Sequence, residues 1–245
     1  MLNKLLITKT TSPEEISEYI KVLREQKGSE KETLKMIDEA LVFGHDFVIN
    51  LFFEEALTYQ HLVMNDGGDK ESLINMQKSI LKAGFYIKKY SLVKWLSRYY
   101  RFLGRIEDYT KNYKKAIFYY KKAIYYVKFD PEPFRFLELE GFLASSTILA
   151  GHFQKGYKLA KSVLMKFEDS KEGKDLKKND YKTWAIWKSG IVIRVINSLI
   201  EKHVNPNKNE VNKLILEIKN DLKPEKNFGY RIEELKDILF KARLM

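Results

Sequence analysis

The chain has 245 residues, 44% of them hydrophobic, with 12 glycines, five prolines and no cysteine. That length suits one large or two small domains; scarce turn formers disfavour a hairpin-rich all-β fold, and the missing thiols exclude disulfides, thiolate metal sites and cysteine catalysis. The formal net charge of +11 is unevenly placed: residues 1–70 hold 8 Lys/Arg against 13 Asp/Glu, whereas 78–128 hold 14 against two. So local a basic excess points to an acidic partner.

From the first residue, MLNKLLITKTTSPEE has too short an apolar stretch for a secretory signal. No later apolar run approaches the ~18 residues needed to span a membrane. The expectation is a cytoplasmic protein. Ser12-Pro13-Glu14-Glu15 reads as a helix N-cap, a first-turn proline and a capping-box glutamate. Gly28, Gly44 and Gly67-Gly68 each follow an amphipathic stretch, where a left-handed C-terminal residue is wanted. Asp130-Pro131-Glu132 and Asn205-Pro206 read as further cap-plus-proline starts. The spacing predicts helices over 13–27, 30–43, 46–65, 70–88, 91–109, 112–128, 131–149, 153–168, 179–203, 207–222 and 229–243, and no strand. Between them SKEGKDLKKND (170–180) reads as a charged, mobile linker.

These helices pair through tight connections, and alternate members begin near 46, 91, 131 and 179. A period of roughly 40–48 residues marks an α-solenoid, in which each hairpin buries its face against its neighbours. Residues 103–123 align with 143–163 at a fixed offset, setting Tyr113 on Phe153, Ala116 on Gly156 and Tyr120 on Ala160. The expected fold is an all-α, right-handed α-solenoid of antiparallel helix pairs with about eleven helices. Residues 1–170 form its repeats. Residues 171–245 continue it to a capping helix, with Ile232, Leu235, Ile238 and Leu239 inward and Glu233, Glu234, Lys236 and Asp237 outward.

The aligned segments resemble the tetratricopeptide repeat. Leu103-Gly104 sit where that family keeps Leu-Gly on its first helix, Ala116, Tyr120 and Ala123 match its small, aromatic and small positions on the second, and Asp130-Pro131 resembles its closing proline. The second unit keeps Gly151 and Gly156 and lacks the proline. The resemblance covers 97–168 and is only architectural elsewhere, where HEAT-like pairs stay open on their period of about 40–47 residues, which fits better than their sequence does.

The phrase YKKAIFYYKKAIYY (113–126) divides by face. Tyr113, Ala116, Ile117, Tyr120, Ala123, Ile124 and Val127 share one broad helical side and read as core. Phe118 and Tyr125 lie on another side, flanked by lysines, and either pack on a neighbour or form a stacking surface. On the preceding helix Lys94, Arg98, Arg101 and Arg105 make a narrow cationic stripe with spacings of four, three and four. No Asp or Glu occurs between Glu71 and Glu107 to relieve it. The stripe is either a solvated face or an anion-binding groove. The resemblance implies groove positions for Arg98, Arg101 and Arg105, on first helices that receive extended peptides.

The four histidines form no HExxH or ExxH pattern, and Glu54, Glu55 and His61 supply too few ligands for a metal. Phosphate-cradling and dinucleotide-binding glycine motifs do not occur, nor does a nucleophile elbow. The expected function is a non-catalytic scaffold, without cofactor or metal, whose groove binds an acidic peptide segment of a partner through Lys94, Arg98, Arg101, Arg105 and Tyr109. The alternative is sequence-tolerant binding of single-stranded nucleic acid, RNA included, through the basic aromatic segment 78–128. Oligomeric state is left open.

Overall fold

The computed structural model describes residues 12–26, 28–40, 45–65, 69–204, 208–223 and 229–243. The signals expected at Gly44, Gly67-Gly68 and Asn205-Pro206 lie outside these residues. Among the described residues twelve α-helices run in order: α1 (Pro13–Arg24), α2 (Glu30–Ala40), α3 (His45–Asn65), α4 (Lys70–Lys89), α5 (Leu96–Tyr109), α6 (Tyr113–Tyr126), α7 (Phe136–Leu149), α8 (Phe153–Asp169), α9 (Lys171–Asn179), α10 (Tyr181–Glu201), α11 (Lys208–Leu222) and α12 (Gly229–Arg243). Three short 3₁₀ turns accompany them, and no strand occurs among the described residues. No described helix is long and apolar enough to cross a membrane.

Local chemistry accounts for many of the boundaries. Ser12 N donates to Glu15 Oε2 at 2.9 Å and Glu15 N to Ser12 Oγ at 3.2 Å, closing a capping box over the orphan donors of α1. Asp69 accepts from Glu71 N and Ser72 N at the start of α4, and Asp180 from Thr183 N at the start of α10. Gly151 ends α7 at φ +92°, a conformation that costs other residues a Cβ clash.

Two expectations fail here. Residues 170–180 are not a linker. Ser170 accepts from Gly173 N at 3.0 Å and starts α9, whose Leu176 is buried. Gly173 lies against the backbone carbonyls of Lys166 and Phe167, where any side chain would clash. The other correction concerns Asp130, which does not start α7. It accepts from Glu132 N at 2.9 Å and pairs with Arg135 at 3.1 Å, so the chain makes a short 3₁₀ turn at Pro133–Arg135 and α7 begins at Phe136.

Packing follows chain order. α3 packs on α4, α5 on α6 and α7 on α8, while α10 lies against α7, α8, α9, α11 and α12. Buried apolar side chains form four successive clusters along the chain. The small residues sit where helices approach closest. A Cβ on Gly104 would lie 2.5 Å from the Tyr120 ring, one on Gly156 would lie 2.7 Å from Ala144 O, and Ala116 and Ala123 are fully buried. Tyr120 and Val127 belong to the core with them, as expected, while Phe118 and Tyr125 remain 51% and 61% exposed. In α12, Leu235 and Ile238 face inward as expected, but Ile232 is exposed, and the Leu239 side chain lies outside the described residues.

Candidate anion-binding chamber

Arginine is rare in this chain, eight residues against 36 lysines. Seven of the eight, and no lysine, line one cavity of about 200 Å³ together with only three carboxylates. The stripe on α5 supplies Arg98, Arg101 and Arg105; α1 supplies Arg24 and Glu25, α10 Arg194, and α12 Arg231 and Glu234. Arg135 comes from the turn before α7 and Glu138 from α7 itself. Glu234, expected outward, therefore faces this chamber. A wider groove of about 810 Å³ shares Arg24, Arg98, Arg135 and Trp187 with the chamber and adds Phe47, Trp95 and Phe134.

The three arginines of the stripe are neither solvated nor unrelieved: carboxylates on other helices and Asp108 on their own lie beside them. Arg101 is buried and holds Glu138 by two parallel bonds, Nε–Oε2 at 2.9 Å and Nη2–Oε1 at 2.7 Å. Burial opposes ionisation of Glu138, but Arg101 outweighs it and keeps the carboxyl below its ordinary range. Arg98 donates to Asn50 Oδ1 at 3.0 Å and lies 3.6 Å from Glu54, which also pairs with Arg24. Burial first, then the like charge of Arg135, pulls the Arg98 guanidinium down to about 10. Arg105 donates to Tyr109 Oη at 2.6 Å and lies 3.8 Å from Asp108.

The predicted residues thus divide. Arg98, Arg101 and Arg105 are brought together in the chamber wall. Tyr109 backs Arg105 through that hydrogen bond instead of lining the space. Lys94 stands apart: it is exposed in the turn before α5, with its ammonium 5.7 Å from the Trp95 ring, because Val93–Trp95 is 3₁₀ and breaks the α-helical stripe. The stripe's spacing did not reveal Arg135, Arg194, Arg231 or Arg24, although the rarity of arginine in a lysine-rich chain singles them out.

Arg194 differs from the other six. Each of those lies within 4 Å of a carboxylate oxygen; Arg194 does not, among the described residues. Its guanidinium stacks 4.0 Å from the centroid of Phe142, a ring that also carries Arg101 and Arg105 at 5.2 and 4.8 Å. The Nε and Nη2 atoms of Arg194 are buried without an acceptor, as is Nε of Arg105. Gly190 makes the room, since a Cβ there would press on both Arg194 and Arg231. Burial, with Arg105 and Arg231 nearby, pulls Arg194 down to about 9.

Two other clusters carry less chemistry. Glu168, Glu217 and Asp221 converge as a metal would require, but Lys188 Nζ lies 2.5, 2.6 and 2.9 Å from them and fills the cation position. Glu54 is committed to arginines, and the His61 ring Nδ1 lies 3.2 Å from Arg24 O. Compared with protein-family models and with curated proteins, the chain matches none of either.

Proposed function

We propose that this protein is a non-catalytic binding scaffold whose groove takes an acidic segment of a partner protein, anchored on Arg98, Arg101, Arg105 and the arginines facing them. The observation that carries this is the gathering of seven of eight arginines around one cavity that opens into a groove with aromatic walls. Guanidinium forks suit carboxylates, and Trp95, Phe134 and Trp187 offer apolar contact for the rest of a segment. The tetratricopeptide-like, right-handed array expected from sequence is compatible with the same reading, as the odd-numbered helices from α1 to α7 reach the groove or chamber, joined there by α10 and α12. Tryptophan fluorescence titrated with a Glu/Asp-rich peptide and with its lysine-for-acid counterpart tests it. Only the acidic peptide should saturate, Arg98→Gln should weaken it about tenfold by removing one charged contact, and Lys94→Gln should not. Equal binding of the two peptides would sink the reading.

A second reading rests on a different surface. Phe118, Tyr125, Phe129 and Phe85 are exposed, and Lys122, Lys128 and Lys89 sit 4.3–5.9 Å over their rings. Such a face would suit single-stranded nucleic acid, but the lysines already cover the ring faces that bases would stack on. Loss of oligo(U) retention with Phe118→Ala/Tyr125→Ala would favour it.

A further inference from the structure

We infer that the floor of the chamber is a phosphoryl-group site, in which the Nε/Nη2 edge of Arg194 and Nε of Arg105 hold the oxygens of a phosphate monoester. The inference rests on the anionic-segment reading and goes beyond it to the chemistry of the anchoring group.

Arg101 and Glu138 show the principle within the same cavity. Arg101 uses Nε and Nη2, the side of the guanidinium with two parallel N–H bonds, to grip a carboxylate at 2.9 and 2.7 Å. Arg194, on α10, has the same edge buried and without an acceptor. A buried guanidinium left without an anion is costly, and a ligand oxyanion removes that cost.

Charge and size then select the group. Six of the seven guanidiniums already have a carboxylate oxygen within 4 Å, Glu54, Asp108, Asp130 and Glu132 outside the cavity lining included, so what remains unmet among the described residues is Arg194 and three donors, its Nε and Nη2 and the Nε of Arg105. A phosphate monoester carries close to two negative charges near neutral pH and three acceptor oxygens out of one plane. It can therefore serve Arg194 and Arg105 together, which approach the same Phe142 ring from different elements. About 200 Å³ admits one such group and excludes a bulky polyanion. The chain's exclusive use of arginine here, against its heavy use of lysine elsewhere, fits a site built for bidentate oxyanion contacts.

The test uses the full chain at constant ionic strength, titrated with inorganic phosphate, phosphoserine, acetate and matched acidic peptides with and without one phosphoserine. Phosphate and phosphoserine should saturate at least about tenfold more tightly than acetate. The phosphopeptide should exceed its unmodified partner if the group arrives on a segment, whereas equal binding of phosphoserine and phosphopeptide would assign it to a small phosphorylated molecule. Arg194→Gln should lose phosphate binding and yet melt higher than the wild type when no anion is present. Arg194→Lys should also bind weakly, having the charge without the fork. Acetate equalling phosphate, or Arg194→Gln binding phosphate normally, overturns the inference. If acidic peptides still bind in that case the groove reading survives alone; if no anion or peptide binds, both fall.

Discussion

Gly104 and Tyr120 set the spacing between α5 and α6. The Tyr120 ring lies where a Gly104 side chain would go, and its hydroxyl is tied to Asp108 Oδ2 at 2.6 Å, so the ring has no easy retreat. Gly104→Ala and Ala116→Leu should each cost about 1–3 kcal/mol, read as a lower urea midpoint. A midpoint unchanged in both would show that these helices are not closely packed. His61 gives a pH signature. Burial chiefly lowers its pKa from 6.5, Glu25 opposes this, and Arg24 and Arg231 reinforce it, so the folded ring stays neutral. Below that value the unfolded chain takes a proton the folded one refuses, and stability falls with pH. His61→Gln should flatten the fall between about pH 7.5 and 5.5. Glu25 and Glu138 act elsewhere on the scale, since their carboxyls are held below 4.5 and lose their contribution only at lower pH.

At the scale of elements, α9 shows what local patterning misses. Its 11-residue segment is dominated by charge, and only Gly173 and Leu176 face inward, too few positions to register as an amphipathic stripe. The readable clues were Ser170 as a cap and a glycine placed for contact with α8. Ser170→Ala should cost about 0.5–2 kcal/mol and Leu176→Ala about 2–5 kcal/mol, measured by thermal unfolding. A mobile linker would make both silent. Helices with strong caps, such as α1 and α4, were legible because their signals lie within four residues of each boundary. Lys188 was not. Its partners Glu168, Glu217 and Asp221 lie 20, 29 and 33 residues away, on α8 and α11, and nothing in the α10 sequence announces them.

For the whole molecule, the cationic stripe was legible as a stripe and illegible as a chamber. Three α5 arginines are visible from helical spacing alone. Glu138, 37 residues from Arg101, and Glu54 on α3 are what make burial of that stripe tolerable, and tertiary structure alone brings them there. The same holds for α12, read as an outward-facing cap although Arg231 and Glu234 turn into the cavity.

Because α1 and α12 both line the chamber, through Arg24 and Arg231, the anion proposed to sit on Arg194 and Arg105 would share one cavity with both ends of the described helical series. Chains of hairpins that contact only their neighbours tend to melt piecemeal, each unit by its own stability. If the proposed anion binds only the closed cavity, it would couple those units by mass action, since opening either end would open its site. Calorimetry should show a broad or split transition without phosphate and one sharper, later transition with it. Unchanged breadth would mean that the two ends melt independently of the chamber.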